Sequence, residues 1–379
     1  MTIKSIVSPD DQTVTFVELF FDLVFVFSVT QVVGLFHHGI DWIVVGQALL
    51  VFWLVWWAWT QFTWSLNAAN TQHPAVQFGT LLATGIVFFM AIALPQAFEE
   101  QSAWFGVAYV LVRILGLWLN VWVASQDVSQ RVAVRTFTLV SIGGLVAVLV
   151  GAFLGGTAQI ILWGLAIVLD ILAAGIGGSV DGWNLHPEHF TERHGLFVII
   201  ALGETLIVAA SGVTEELGIN ATLAISILAV AITCGLWWSY FSRIKPLLEH
   251  ALESSQGAEQ AQLARDVYSL LHFLMMVGVV AYAIAIEEAL AHPDEPLPLV
   301  GRILLATGLT LFIGGMAAAA WRATRINLLA RILLVAITAV AILAFGGFGV
   351  VFTLGIAFLG VLVLLFIEQR NASLTHETV

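Results

Sequence analysis

Two carboxylates interrupt the apolar segment FVELFFDLVFVFSVTQ at residues 16–31. A carboxylate at the centre of a bilayer costs about 2.5–3.5 kcal/mol on insertion scales, so each acid needs a physical reason. Glu18 fits a capping box, in which Thr15 caps a helix and Glu18 answers from the third helical position. Asp22 lies one turn deeper on the same face, so it needs a basic partner, a captured proton or water. Basic residues at a similar depth are Arg193, His194 and His272.

Glu204 and Arg113 each lie near the middle of an apolar segment. Glu204 shares a helical face with Arg193, and Gly203 beside it is small enough to allow close approach of another helix. Arg113 shares a face with Asn120, seven residues further on. Opposite charges at matching depth predict a Glu204–Arg113 pair, which either fixes packing or takes part in coupling to a proton.

Two more polar positions lie inside apolar segments. Asp170 is followed on the same face by small residues, Ala174 among them, which could accommodate a neighbouring helix or keep a cavity open. His272 lies on one face with Tyr268 and Tyr282, which could form a fragment of a proton relay, although an aromatic stripe is also typical of packing. The tryptophans of WWAWTQ (56–61) could line a pocket or fill the core.

The segment DGWNLHPEHFTERH (181–194) contains three histidines and several carboxylates without regular ligand spacing. This pattern favours a solvated cytoplasmic loop over a metal site. We find no phosphate-binding loop, nucleophile elbow, HExxH or CxxC motif in the sequence. We therefore expect no metal, no cofactor and no nameable catalytic triad.

The composition is that of a polytopic membrane protein. Of 379 residues, 60% are apolar and 10% charged, whereas soluble domains are about 25% charged. The single cysteine, Cys234, excludes an intrachain disulfide framework. The net charge of −12 and the lack of a basic cluster give no indication of a nucleic-acid partner.

Apolar runs long enough to span a bilayer recur along the whole chain and predict an all-α polytopic membrane protein. The glycine-rich stretch AFGGFG (344–349) is the natural place for the turn between the last two runs. We place about twelve spans near 16–36, 42–66, 75–97, 102–124, 133–154, 158–180, 195–213, 220–241, 268–290, 298–319, 327–344 and 348–367.

Lysine and arginine predict the orientation, because cytoplasmic loops are enriched in both. With the N-terminus inside, eleven of the 13 basic residues fall on the cytoplasmic side, so we expect both termini there. We expect residues 242–266 to form a polar, partly amphipathic cytoplasmic connector and a docking segment for any protein partner. The eleven residues are Lys4, Arg131, Arg135, Arg193, Arg243, Lys245, Arg265, Arg322, Arg325, Arg331 and Arg370.

Short similarities suggest tandem halves, about 1–180 and 181–379. WWAWTQ in the second span has a counterpart in WWSYFS in the eighth, and VRILGL in the fourth has one in GRILLA in the tenth. Six spans per half would give both halves the same orientation, as in transporters with parallel repeats. Chance similarity among apolar helices is the alternative.

The segments VELFFDLVFVFSVTQ and ERHGLFVIIALGETLIVAASG together resemble the bacterial low temperature requirement A family, and the resemblance extends over nearly the whole chain. It implies a multi-pass inner-membrane protein linked by name to growth in the cold, without an established substrate or catalytic residue. The residues in the matching motifs are Glu18, Asp22, Glu192, Arg193, His194, Gly195, Gly203 and Glu204.

Three functions compete. The leading hypothesis is a secondary transporter coupled to an ion gradient, with Asp22 or Glu204 taking up a proton and Arg113 as its partner. The second is a membrane sensor or assembly factor linked to growth at low temperature, in which the charges act as clamps. The third, an intramembrane enzyme, lacks a nucleophile or metal motif. The partners that we expect are the lipid bilayer and an unknown small-molecule or ion substrate.

Overall fold

A computed structural model describes residues 5–9, 12–36, 41–127, 130–178, 182–183, 185–211 and 220–376. This part of the chain is helical and contains no named β-strand. Twelve helices within it are long and apolar enough to cross a membrane. The all-α class and the expected number of spans are therefore confirmed.

The chain forms two compact units, and the first comprises the residues up to Phe197 together with Glu249–Leu270. Six long helices lie entirely in this unit, and the boundary then falls within α7 (Pro187–Ser211). The six are α1 (Phe16–Gly34), α2 (Trp42–Ala68), α3 (Pro74–Ala93), α4 (Ser102–Gln126), α5 (Arg131–Leu154) and α6 (Gly156–Gly178).

The second unit comprises Val198–Leu248 and the residues from Leu271 onward. Two π-helical segments, Tyr240–Ile244 and Ala264–Leu271, interrupt the helices near the boundaries between the units. The long helices of this unit are α8 (Ala221–Ser239), α11 (His272–Ala291), α12 (Leu299–Thr324), α13 (Leu329–Phe345) and α14 (Val350–His376). The unit boundary falls within α9 (Lys245–Glu253), and α10 (Gly257–Leu263) belongs to the first unit.

The second helix, α2, is the core element of the first unit. It packs against α1, α4 and α6, and all its residues from Val51 to Thr63 are buried. A helix that is apolar around its whole circumference is buried on all sides, which explains the concentration of tryptophan here. The polar side chains of α2 therefore face other helices rather than lipid.

Two predicted boundaries can be compared directly with the structure. The turn predicted within 344–349 is confirmed: a 3₁₀ segment, Gly346–Phe348, ends at Gly349, whose φ of +127° favours glycine. The predicted start of α7 at residue 195 is wrong, because the helix begins at Pro187. Proline suits the first helical position, where its missing N–H is not needed.

The expected connector, 242–266, is largely helical, and Leu248 and Leu252 of α9 are buried. Its role as a docking segment stays a prediction, as does the tandem arrangement of the two halves. The two tryptophan pairs that motivated that arrangement differ in environment. Trp56 and Trp57 are buried, whereas Trp237 and Trp238 are exposed.

Candidate functional site

Asp22 lies at the centre of a buried ionic cluster formed by α1, α2 and α7, and its side chain has no exposed surface. The guanidinium of Arg193 pairs with it through Nη2 and Oδ1, and Nε donates to Oδ2 at 3.4 Å. The indole Nε1 of Trp59 donates to Oδ1 at 2.7 Å. The expectation that Asp22 has a basic partner is confirmed, and of the three candidates the partner is Arg193.

Glu18 lies one turn earlier on α1 and is also fully buried. Its Oε2 accepts hydrogen bonds from the backbone N–H of Thr15 at 2.9 Å and from the Thr15 hydroxyl at 2.8 Å, as expected from the capping box. Its Oε1 lies 2.9 Å from Nε2 of His189 and 3.6 Å from Nη1 of Arg193. Glu18 is therefore both a helix cap and a member of the ionic cluster.

Asn67 of α2 positions the start of α7. Its Oδ1 accepts from the backbone N–H of His186 at 2.8 Å, and its Nδ2 donates to the His186 carbonyl at 3.0 Å. The same Nδ2 lies 3.1 Å from Nδ1 of His189. Since an amide nitrogen only donates, Nδ1 accepts, and a neutral His189 carries its proton on Nε2.

The expectation of a solvated loop at 181–194 is wrong for residues 187–194. These residues are helical, and His189, Arg193 and His194 are buried. Glu18 and Asp22 of α1 lie against His189 and Arg193, so the polar sequence forms part of the interior. Among the described residues, no group of three metal-ligating side chains occurs.

His194 contributes packing to the same region. Its Nδ1–H donates to the carbonyl of Phe190 at 2.8 Å. Its ring lies with centroid distances of 4.9 Å to Trp59 and 5.0 Å to Tyr268. These contacts hold the aromatic surroundings of the ionic cluster in place.

Arg113 forms a second buried ionic pair, with Asp170 of α6. Nη2 donates to Oδ1 at 3.1 Å and Nη1 to Oδ2 at 3.4 Å, and Nη1 also donates to the hydroxyl of Tyr109 at 2.5 Å. Arg113 is fully buried and Asp170 is 2% exposed. The predicted Glu204–Arg113 pair is wrong, because the carboxylate that neutralises Arg113 is Asp170.

Glu204 belongs to the second unit and is half-buried. It forms no hydrogen bond or ion pair among the residues that the structure describes. A β-carbon added at Gly203 would meet nothing within 4 Å among the described residues, so the close approach that glycine would allow here does not occur within that part of the chain. A role for Glu204 in coupling stays a prediction.

The polar groups predicted on α11 have separate partners in the second unit. His272 Nε2 lies 2.8 Å from the hydroxyl of Tyr240, and the hydroxyl of Tyr282 donates to the carbonyl of Ala229 at 2.8 Å. Tyr268 belongs to the first unit, where its ring lies beside His194. Each of these residues therefore has a hydrogen bond or a ring contact, and a role in a proton relay stays a prediction.

Two predicted positions line a cavity in the first unit. Asn120 of α4 and Ala174 of α6 contribute to its wall together with Trp57 and Trp64. Ala174 lines a cavity, as one of the two expectations for this face had it, whereas Asp170 is not among the lining residues.

Sequence reasoning missed several partners in these clusters. Tyr109 lies four residues before Arg113, and this helical spacing could have indicated the contact. Trp59 carries no such signal, because Trp56 and Trp57 of the same short segment are equally plausible partners. In the second unit, Arg331 pairs with Glu368 of α14.

The comparisons with known proteins agree with the sequence motifs. Residues 13–367 match the model of the family described as bacterial low temperature requirement A protein (LtrA). A curated Rhizobium meliloti protein, "Uncharacterized protein RA0937", is 27% identical over 303 residues, which cover 75% of this chain and 72% of the relative. No solved structure matches the chain.

Proposed function

Since the chain belongs to the bacterial low temperature requirement A protein family and is a multi-pass membrane protein, we propose that it is an ion-coupled secondary transporter of the bacterial inner membrane. The observation that carries this proposal is the buried cluster of Glu18, Asp22, His189 and Arg193. Ionisable groups inside membrane helices are costly and typically mark ion or substrate pathways. The sequence contains no ATP-binding motif, so an ion gradient is the energy source that we propose.

The charges of the cluster indicate where a proton binds. Two carboxylates face one guanidinium, so a neutral His189 leaves one negative charge uncompensated. A proton held between His189 Nε2 and Glu18 Oε1, 2.9 Å apart, makes the cluster neutral. An uncompensated buried charge costs several kcal/mol, so we infer that the closed cluster holds one exchangeable proton at this pair.

The distribution of these charges over two helices provides a route to coupling. α1 supplies both carboxylates and α7 supplies both basic groups. A movement that separates α1 from α7 exposes the pair to water, where the proton can leave. Proton release is thereby linked to a change in helix arrangement, as alternating access requires.

The Arg113–Asp170 pair differs because one guanidinium faces one carboxylate. This pair is neutral without a proton, so protonating Asp170 would leave Arg113 uncompensated. We assign it a packing role within the first unit.

The proposal is tested by charge displacement in proteoliposomes adsorbed on a solid-supported membrane. A step from alkaline to acidic buffer should give a transient current in the wild type as the cluster takes up protons. Glu18→Gln should remove most of the moved charge, because the cluster of this variant is neutral without a proton. His189→Gln should reduce the moved charge, because it removes one of the two proton acceptors. His292→Gln is the matched control, since His292 is exposed after the end of α11.

Equal charge movement in the wild type and in all three variants would contradict the assignment of the proton to Glu18 and His189. A wild type without charge movement would contradict ion coupling and would favour the membrane sensor or assembly factor.

A further inference from the structure

A small cavity lies beside the tryptophan-rich part of α2, within the first unit. Its volume is about 40 Å³, and its wall includes the indoles of Trp57, Trp64 and Trp183. Thr60 and Gln61, which lie between Trp57 and Trp64 in the sequence, also line the cavity. One water molecule needs about 10–15 Å³ of such volume, so the cavity accommodates a solute of only a few heavy atoms without rearrangement.

The π-helical segment Ala264–Leu271 forms part of the wall and is fixed to α2 by two indoles. The backbone carbonyl of Ser269 accepts from Nε1 of Trp56 at 2.7 Å, and the Ser269 hydroxyl accepts from Nε1 of Trp64 at 3.1 Å. Single π-helical turns are rare and occur frequently at functional sites. The wall is thus held by specific hydrogen bonds.

The indole Nε1 of Trp57 and two oxygen atoms at the cavity have no hydrogen-bond partner within the described residues. These two oxygens are Gln61 Oε1 and Thr60 Oγ1. Their side chains are only 2% and 3% exposed. Gln61 Nε2 donates to the carbonyl of Arg113 at 3.1 Å, which fixes the amide orientation and leaves Oε1 as the unpaired end. Buried polar groups are nearly always paired, so these atoms need a partner that the protein does not supply.

The charges around the cavity favour an uncharged partner. Among the described residues that line the cavity, the charged side chain is Arg265, which already pairs with Asp266 at 2.6 Å. An anion would have to displace Asp266, and a cation would find no carboxylate among these lining residues. An ion would therefore lose its hydration without compensation, whereas a neutral molecule would not.

We propose that this cavity binds a small uncharged solute carrying an N–H or O–H group, of the class of short amides, ureas and small alcohols. Its donor bonds Gln61 Oε1, the Thr60 hydroxyl supplies a second hydrogen bond, and its apolar part packs against the indole of Trp57 or Trp64. Binding is independent of ion coupling, while the role of the solute as the transported substrate rests on the proposed function.

Acetamide and acetate are matched probes because they share a methyl group and a planar head and differ in charge. We would measure saturation-transfer difference NMR of the methyl signal with the full chain in nanodiscs of deuterated lipid. We expect a saturable signal from acetamide and at least about tenfold weaker binding of acetate, since the charged head lacks both a donor and a counter-ion.

Variants on α2 assign the signal to the cavity. Thr60→Val removes only the unpaired hydroxyl and should weaken acetamide binding about threefold to tenfold. Gln61→Met removes the acceptor and should abolish binding. Thr63→Val is the matched control, because the Thr63 hydroxyl already donates to the carbonyl of Trp59 at 3.1 Å and Thr63 does not line the cavity.

Absence of acetamide binding, equal binding of acetate, or equal effects of Thr60→Val and Thr63→Val would each overturn the inference. If Gln61→Met fails to fold, the comparison of Thr60→Val with Thr63→Val still shows whether acetamide binds in the cavity. Acetamide binding without charge displacement on a pH step would support the cavity assignment and contradict ion coupling alone. Charge displacement without acetamide binding would support ion coupling and contradict the cavity assignment alone.

Discussion

Asp170 and Glu204 are both acids of apolar helices, yet their surroundings differ completely. Asp170 is 2% exposed and bonded to Arg113, whose guanidinium also reaches Tyr109. Glu204 is half-buried and has no ionic partner among the described residues. Neutralising each acid with the isosteric amide should therefore affect stability very differently.

We expect Asp170→Asn to lower the free energy of unfolding by about 3–5 kcal/mol, because it leaves the buried guanidinium of Arg113 uncompensated. Glu204→Gln should change it by less than about 0.5 kcal/mol, as is usual for side chains without specific partners. Thermal unfolding of both variants in the same detergent provides the comparison. Similar losses in the two variants would contradict the assignment of the buried pair to Asp170.

At the residue scale, contacts within one helix were easier to predict than contacts between helices. The capping role of Glu18 follows from spacing along one helix. For Asp22, similar depth left three candidate partners, Arg193, His194 and His272, and the structure selects Arg193. The partner of Arg113 could not be predicted in this way. Asp170 and Glu204 both lie inside apolar helices, and only the packing of the helices selects between them.

At the element scale, the twelve helices were predictable because the length and composition of an apolar run suffice to identify a span. The start of α7 was not predictable from hydropathy. Residues 187–194 are polar in sequence, but His189 and Arg193 are buried because Glu18 and Asp22 compensate them. A one-dimensional hydropathy pattern contains no information about such pairing across helices. The π-helical turn at Ser269 was missed for the same reason.

Two glycines of α12 give a prediction about helix packing in the second unit. A β-carbon added at Gly308 would lie 2.8 Å from the carbonyl oxygen of Gly278 and from the backbone nitrogen of Tyr282, both on α11. These neighbours are backbone atoms and cannot move aside as a side chain could. Gly314, on the same helix, has nothing within 4 Å of its added β-carbon.

Gly308→Ala should therefore lower the free energy of unfolding by about 1–3 kcal/mol, the usual cost of overpacking. Gly314→Ala should leave it unchanged or raise it by up to about 1 kcal/mol, because alanine is the better helix former. Thermal unfolding of the two variants measures the difference. A stable Gly308→Ala variant would show that α11 and α12 are less closely packed than the structure indicates.

At the scale of the whole molecule, two compact units were harder to predict than the helices that compose them. The sequence suggested halves that divide near residue 180, whereas the compact units divide within α7 and the segment Glu249–Leu270 belongs to the first unit. Local similarity between apolar helices does not determine which helices pack together, because any two apolar faces can do so. The tandem repeat itself stays a prediction.

The orientation in the membrane is the last prediction, and it rests on the distribution of basic residues rather than on the structure. Eleven of 13 lysines and arginines fall on one side of the predicted spans, and cytoplasmic loops carry such an excess. Gln256, between α9 and α10, is then cytoplasmic, and Asp294, between α11 and α12, is periplasmic. Both residues are exposed.

In a Cys234→Ser background, Asp294→Cys should react with a membrane-impermeant maleimide once the outer membrane is permeabilised. Gln256→Cys should react only after the inner membrane is opened, since the reagent cannot otherwise reach it. Labelling in the opposite order would reverse the topology and place both termini in the periplasm.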